Sequence, residues 1–265
     1  VVDRGEGWAG LVTSANPHDA SSLHGNVALR FAGPAALDLL TSERSVAEWS
    51  GETLSVPNAP EEEPGTPGAR GRVQLLSEGA IRDALLTTIA ASGPGDRLDV
   101  AVFYLAHRRM IEALIAAQAR GAQVRVLLDP NRNAFGLEKD GIPNRPVAQE
   151  LVDAGIAVRW CVTQGEQCHS KLLLRRSANG GEAEMIVGSA NFTRRNLDNL
   201  NLETSVRLQG RAEFPALRDA AAFFERRWQS TPGRITSEPF EAYQSPGLWK
   251  QLRYRVMEAT GLSTF

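Results

Sequence analysis

A histidine and a lysine stand two positions apart, at His169 and Lys171, where an apolar run (Lys171 to Leu174) reads as a strand. Side chains on a strand repeat every two residues, so both point to one face and can reach one ligand. Further along come Gly188-Ser189-Ala190-Asn191 and then Asn201-Leu202-Glu203. These residue types suit transfer at a phosphodiester. That reaction needs a nucleophile, a proton donor for the leaving alkoxide, and cations or donors around the phosphoryl oxygens. A neutral imidazole is a competent nucleophile, and an imidazolium is a competent acid near neutral pH. Lys171 offers a fixed positive charge, and Ser189 and Asn191 offer neutral donors. Glu203 can accept from an imidazole nitrogen and fix its tautomer, as carboxylates do in triads. His169, Lys171 and Glu203 are therefore the candidate catalytic residues, and Lys171, Ser189 and Asn191 the candidate phosphate ligands.

A second copy of part of this pattern lies near the start of the chain. Val12-Thr13-Ser14-Ala15-Asn16 is similar to Val187-Gly188-Ser189-Ala190-Asn191. Ten residues after each last Asn comes another, Asn26 and Asn201. A strand and an amphipathic helix are predicted after each: 27–31 then 34–40, and 202–208 then 214–228. Trp49 and Trp228 fall near the two helix ends. Ser14 and Asn16 join the candidate phosphate ligands on this basis.

Taken together, HxK, GSxN and NxE resemble the signature of the phospholipase D superfamily. The resemblance covers 73–228 as one lobe and 1–49 as the tail of another. It implies two similar α/β lobes, each a mixed sheet flanked by helices, with the first truncated at its N-terminus. Each lobe would give one HxK motif to a shared site. It also implies a phosphohistidine intermediate and no metal or other cofactor; the first-lobe histidine is commonly the nucleophile, which makes His169 the general acid and base. The layout is most similar to bacterial cardiolipin synthase-like and phospholipase D-like proteins. Two positions depart from the pattern. Arg176 stands where the extended HxK motif carries Asp, and Ala28 is expected at the place of Glu203 in the first copy. Val1-Val2-Asp3 looks like the end of the first motif, so the partner His and Lys are expected just upstream of Val1. A chain without them is expected to be inactive.

The elements that must position these residues can be read coarsely. Strands are expected at 73–76, 98–105, 124–128, 157–162, 171–174, 185–187 and 202–208, and helices at 81–91, 109–120, 146–154 and 214–228. Strands alternating with helices indicate an α/β fold with a mixed or largely parallel sheet. Residues 50–72 hold four prolines and the triplet Glu61-Glu62-Glu63, the composition of a linker. The expected domains are thus 1–49, the linker 50–72, a second lobe at 73–230 and a peripheral extension at 231–265.

Composition bounds the partners. The chain has 265 residues, 42% hydrophobic and 23% charged, with a net charge of -2. That balance is ordinary for a globular protein and gives no global argument for nucleic acid, whose binders usually carry a basic face. No apolar run is long enough to span a membrane, so a soluble or peripheral protein is expected. A phospholipid is the leading substrate expectation, with a membrane surface as an open partner, a nuclease of the same chemistry as the runner-up, and a degenerate binding lobe as the non-enzymatic alternative. Arg132, Lys139 and Arg145 in the loop 130–145 are candidates for an anionic head group. Cys161 and Cys168 are read as two buried thiols, with a disulfide as the alternative.

Overall fold

A computed structural model of the chain describes residues 1–5, 7–56, 71–131, 133–134, 137–138, 140–243 and 247–260. In chain order these form β1 (Val2–Asp3), β2 (Trp8–Thr13), β3 (Ala28–Ala32), α1 (Pro34–Trp49), β4 (Gly71–Ser77), α2 (Gly79–Ala90), β5 (Arg97–Val102), α3 (Arg108–Ala119), β6 (Gln123–Leu128), the short pair β7 (Asn133–Ala134) and β8 (Leu137–Glu138), α4 (Asn144–Asp153), β9 (Ala157–Cys161), β10 (Lys171–Arg176), β11 (Glu182–Gly188), α5 (Arg194–Leu197), β12 (Thr204–Arg211), α6 (Pro215–Trp228), β13 (Ser237–Pro239) and α7 (Leu248–Thr260).

The architecture is the mixed α/β one. Eight strands form one sheet in the order β13-β9-β6-β5-β10-β11-β12-β4. β5, β6 and β9 run parallel. β10 runs antiparallel to both β5 and β11, and the remaining pairs are antiparallel as well. Leu98 to Val102 and Val126 to Leu128 are buried on both faces, as central strands covered on two sides must be. On one face lie α2, α3 and α4, whose apolar residues recur at helical spacing: Met110, Ile111, Leu114 and Ala117 of α3 are all fully buried. Gly121, at φ +94°, turns the chain out of α3 and into β6.

The other face is covered jointly by α6 and the N-terminal piece. Leu217 and Phe224 of α6 share a core with Leu172, Leu174, Met185, Val187, Val206 and Leu208 of the sheet. Val12, Leu29, Phe31, Ala35, Ala36 and Leu39 belong to the same core. The N-terminal piece is a small antiparallel sheet, β1-β2-β3, backed by α1.

Several sequence expectations need correction. Cys161 and Cys168 are a disulfide rather than two thiols, with Cα atoms 6.3 Å apart. The strand β9 ends beside the segment leading into β10, which brings them within bonding reach. The helix expected over 34–40 continues to Trp49. The extension beyond 230 is partly integral: β13 pairs with β9 at the sheet edge, and Tyr254 of α7 is buried and donates to the Ala106 carbonyl. Of the expected linker, Gly71 and Arg72 already belong to β4, while 57–70 lies outside the described residues.

Candidate active site

His169 lies two residues before Lys171, the first residue of β10. The ladder to β5 runs on through Phe103, whose N–H donates to the Ser170 carbonyl, so the stretch is extended. Two clamps fix it. The Cys161–Cys168 disulfide ties it to β9, and the Cys168 N–H donates to Asp129 Oδ2 at 2.9 Å. Asp129 is almost fully buried, which pushes its carboxyl up to about 6 despite hydrogen bonds from Cys168 and Asn131.

The N-terminal piece docks on this stretch through three hydrogen bonds in succession. Gly25 N–H donates to the Gln167 carbonyl at 2.8 Å, Gln167 N–H donates to His24 Nδ1 at 3.1 Å, and His169 Nδ1 meets Asn26 Oδ1 at 3.1 Å. Asn26 presents its oxygen because its amide nitrogen donates to the Ser21 and His24 carbonyls. The His169 proton therefore sits on Nδ1, and Nε2 carries the lone pair. Burial, then the positive charges of Lys171 and His24, depress the His169 imidazole to about 3. It is neutral at physiological pH.

Lys171 is 3% exposed. It donates to the His169 carbonyl at 2.9 Å and lies over the Phe103 ring. Burial lowers its ammonium to about 7, against the opposing pull of Glu203 and Asp129. A buried, incompletely neutralised cation of this kind favours an anionic ligand beside it.

The two copies of the serine motif have the same local architecture. Ser14 N–H donates to the Val27 carbonyl at 2.9 Å, and the Val27 N–H returns to Ser14 Oγ at 2.9 Å. Ser189 N–H donates to the Thr204 carbonyl at 3.0 Å, and the Thr204 N–H returns to Ser189 Oγ at 3.0 Å. The hydroxyl then donates to the side chain just before that strand residue, Asn26 in one copy and Glu203 in the other. This register makes Asn26, not Ala28, the counterpart of Glu203. The connection is two residues shorter in the first copy, which is why counting from the motif misplaced it. The same register sets Asp3, opposite Trp8, where Arg176, opposite Ala183, stands in the second.

Glu203 does not reach His169. Its carboxylate accepts from Ser189, Asn196 and Asn201. The orienting contact expected from Glu203 is made to His169 by Asn26, which the sequence marks only as part of the repeat. Asn191 keeps its amide nitrogen available, since its Oδ1 accepts the Tyr104 N–H at 3.3 Å. Asn16 lines an open depression with His18, His24 and Asn26 beside His169. His24, whose ring centre is 5.8 Å from that of His169, carried no sequence signal of its own. Burial and the neighbouring His18 lower its pKa.

Gly188 shows why the motif opens with glycine. A Cβ there would lie 2.3 Å from the Thr204 carbonyl oxygen and from Ser205 Oγ. The close approach is what lets Ser189 reach across to Glu203. Arg176, at the position of the motif's Asp, has an acid supplied from the adjacent strand: its guanidinium pairs with Asp99 at 2.7 Å, and Arg125 pairs with the other carboxylate oxygen at 2.7 Å. Of the loop cations, Arg145 donates to the Pro130 carbonyl and lies against Tyr243. Arg132 and Lys139 lie outside the described side chains.

A second cavity, about 480 Å³, opens on the Glu203 side of the site. Leu11, Leu39, Val46 and Leu202 line it together with Ser189, Glu43, Glu78 and Glu203, and neither Lys nor Arg does. Among the described residues no group of three or more potential ligands could hold a metal ion.

The model of the family described as cardiolipin synthase, PLD-like domain matches residues 85–228. That is more than half of the chain, which therefore belongs to this family, within a phospholipase D superfamily that includes phospholipases, synthases and nucleases. Among solved structures, phosphatidylserine synthase from Haemophilus influenzae is similar with a TM-score of 0.59 at 10% identity, covering 96% of this chain and 67% of that one. Polyphosphate kinase from Porphyromonas gingivalis is similar with a TM-score of 0.53 at 17% identity, covering 97% of this chain and 36% of that one. At these identities the likeness is one of fold. Among curated proteins none matches.

Proposed function

We propose that this chain supplies one half of a two-histidine site that hydrolyses or transfers a phospholipid phosphodiester through a phosphohistidine. His169 acts as the nucleophile. Its Nδ1 is held by Asn26, its ring is neutral, and its Nε2 carries the lone pair that attacks phosphorus. A group depressed to about 3 is a poor proton donor at neutral pH, so the acid role expected for His169 from the sequence passes to its partner. Because Asn26 of one copy orients His169 of the other, the symmetric partner imidazole faces Glu203. A carboxylate stabilises an imidazolium where an amide does not. The partner is thereby poised as the acid that protonates the leaving alkoxide and then activates water or an acceptor alcohol. Lys171 and Asn191, with their counterparts in the first copy, hold the phosphoryl oxygens.

The observation favouring phospholipid over nucleic acid is the match of residues 85–228 to the family described as cardiolipin synthase, PLD-like domain. The test is an assay of protein bearing the complementary His–Lys pair against phospholipid vesicles and against single- and double-stranded DNA. Phosphodiester cleavage or exchange is expected on phospholipid. Turnover confined to DNA would replace the substrate reading, and no turnover on either would favour a degenerate binding lobe.

A further inference from the structure

The helix α7 lies outside the family match and carries an apolar stripe on the wrong side for a core. Trp249, Leu252 and Val256 recur at the spacing of one helical face, and they are 83%, 55% and 54% exposed. Tyr254, on the opposite face, is 1% exposed and donates to the Ala106 carbonyl. The stripe therefore points away from the body of the protein. Basic residues flank it. Lys250 donates to the Asp140 carbonyl, Arg253 pairs with Asp140 and Arg255 pairs with Glu150. Arg253 and Arg255 remain half-exposed, and exposed pairs of this kind exchange readily with other anions. The segment Leu248–Thr260 carries three basic residues against the single acid Glu258, within a chain whose net charge is -2.

Position adds a third point. Tyr254 is anchored to Ala106, just beyond the end of β5, and the Ala259 carbonyl accepts from Arg194, three residues after Asn191. The helix thus runs along the end of the sheet at which His169 and Asn191 lie.

The geometry points to α7 as an interfacial helix that seats the protein on an anionic phospholipid surface, with Trp249, Leu252 and Val256 entering the acyl boundary and Arg253 and Arg255 meeting head groups. This deepens, and rests on, the phospholipid reading of the site. A Trp–Leu–Val stripe framed by Lys and Arg is the composition of helices that lie in a bilayer interface. Three side chains are too few to supply the about 800 Å² per partner of a stable protein interface. No helix among the described residues is long and apolar enough to cross a membrane, so docking would be peripheral.

The experiment is co-sedimentation of the chain with vesicles of phosphatidylcholine alone and of phosphatidylcholine mixed with phosphatidylglycerol. Binding is expected on the mixed vesicles and should weaken in high salt. The triple substitution Trp249→Ser, Leu252→Ser, Val256→Ser should lower partition by roughly tenfold or more, and Arg253→Gln with Arg255→Gln should lower it on mixed vesicles alone. Thermal unfolding of each variant checks that the fold is retained: the apolar side chains replaced face solvent, and the two arginines give up only partly exposed ion pairs, which contribute little to stability. Partition is read without turnover. Protein bearing the complementary His–Lys pair that docks but leaves phospholipid intact overturns the substrate reading and leaves the docking face standing. Wild-type protein that ignores mixed vesicles, a triple variant that binds as wild type does, or a wild-type dimer that the triple variant converts to monomer would overturn the proposal.

Discussion

His169 and Asn26 illustrate how one hydrogen bond assigns a role. An amide oxygen facing Nδ1 orients the ring without adding charge, so burial beside Lys171 keeps it neutral. Replacing Asn26 by Asp puts a carboxylate against the same nitrogen. The His169 pKa should then rise from about 3, by one unit or more as opposite charges at contact usually give. Titration of the ring resonances by NMR reads this directly, and an unmoved pKa would mean that Asn26 does not set it. Lys171 makes the second residue-scale prediction. With its ammonium lowered to about 7, it is increasingly neutral above that pH and anion binding should weaken. Sulfate does not titrate in this range, so its dissociation constant should climb toward tenfold per pH unit above about 7 by proton linkage. Lys171→Met should bind sulfate weakly and with a flat profile; an unchanged profile would contradict the assignment. The types and spacing of His169, Lys171, Ser189 and Asn191 were legible in the sequence because each belongs to a local motif. Asn26 as orienting residue was not, because its role depends on which backbone atoms pair across Ser14 and Val27.

At the scale of elements, the sheet solves a problem that the motif creates. Arg176 replaces an acid on β10, and Asp99 on the neighbouring β5 supplies the missing charge, shared with Arg125 of β6. Asp99 is fully buried, so Asp99→Ala would strip Arg176 of its carboxylate and leave Arg125 with Glu225 alone. Removing one member of such a pair costs about 3–5 kcal/mol, which urea unfolding would detect. A loss under about 1 kcal/mol would show that water replaces the carboxylate. The sequence marked the Arg176 departure but not its compensation, since residues 77 positions apart pair only through the strand order. The same holds for Cys161 and Cys168. Their separation of seven permits a bond or two thiols, and only the approach of β9 to the segment before β10 decides. Strand and helix identities, by contrast, followed from apolar periodicity, with α1 extending beyond its expected end because its later turns, at most half-buried, interrupt the apolar repeat with polar residues.

The molecule is built around one eight-stranded sheet with its two faces covered differently, and the difference places the site. Helices α2, α3 and α4 cover one face, while α6 and the N-terminal piece cover the other, so His24, Gly25 and Asn26 come to lie along Gln167 to His169. The internal repeat made this docking anticipatable in outline: two copies of one unit bring like motifs to a shared edge. What no linear pattern conveys is the exchange of orienting groups between copies: Asn26 meets His169, and in the proposed mechanism Glu203 faces the partner imidazole. That exchange carries the mechanism proposed here and can be tested chemically. Protein bearing the complementary His–Lys pair, mixed with phosphodiester substrate and quenched in alkali, should yield a phosphoramidate that peptide mass spectrometry places on His169, and His169→Asn should abolish both this adduct and turnover. Phosphate recovered on the opposing histidine with His169 unmodified, or turnover surviving His169→Asn, would contradict it.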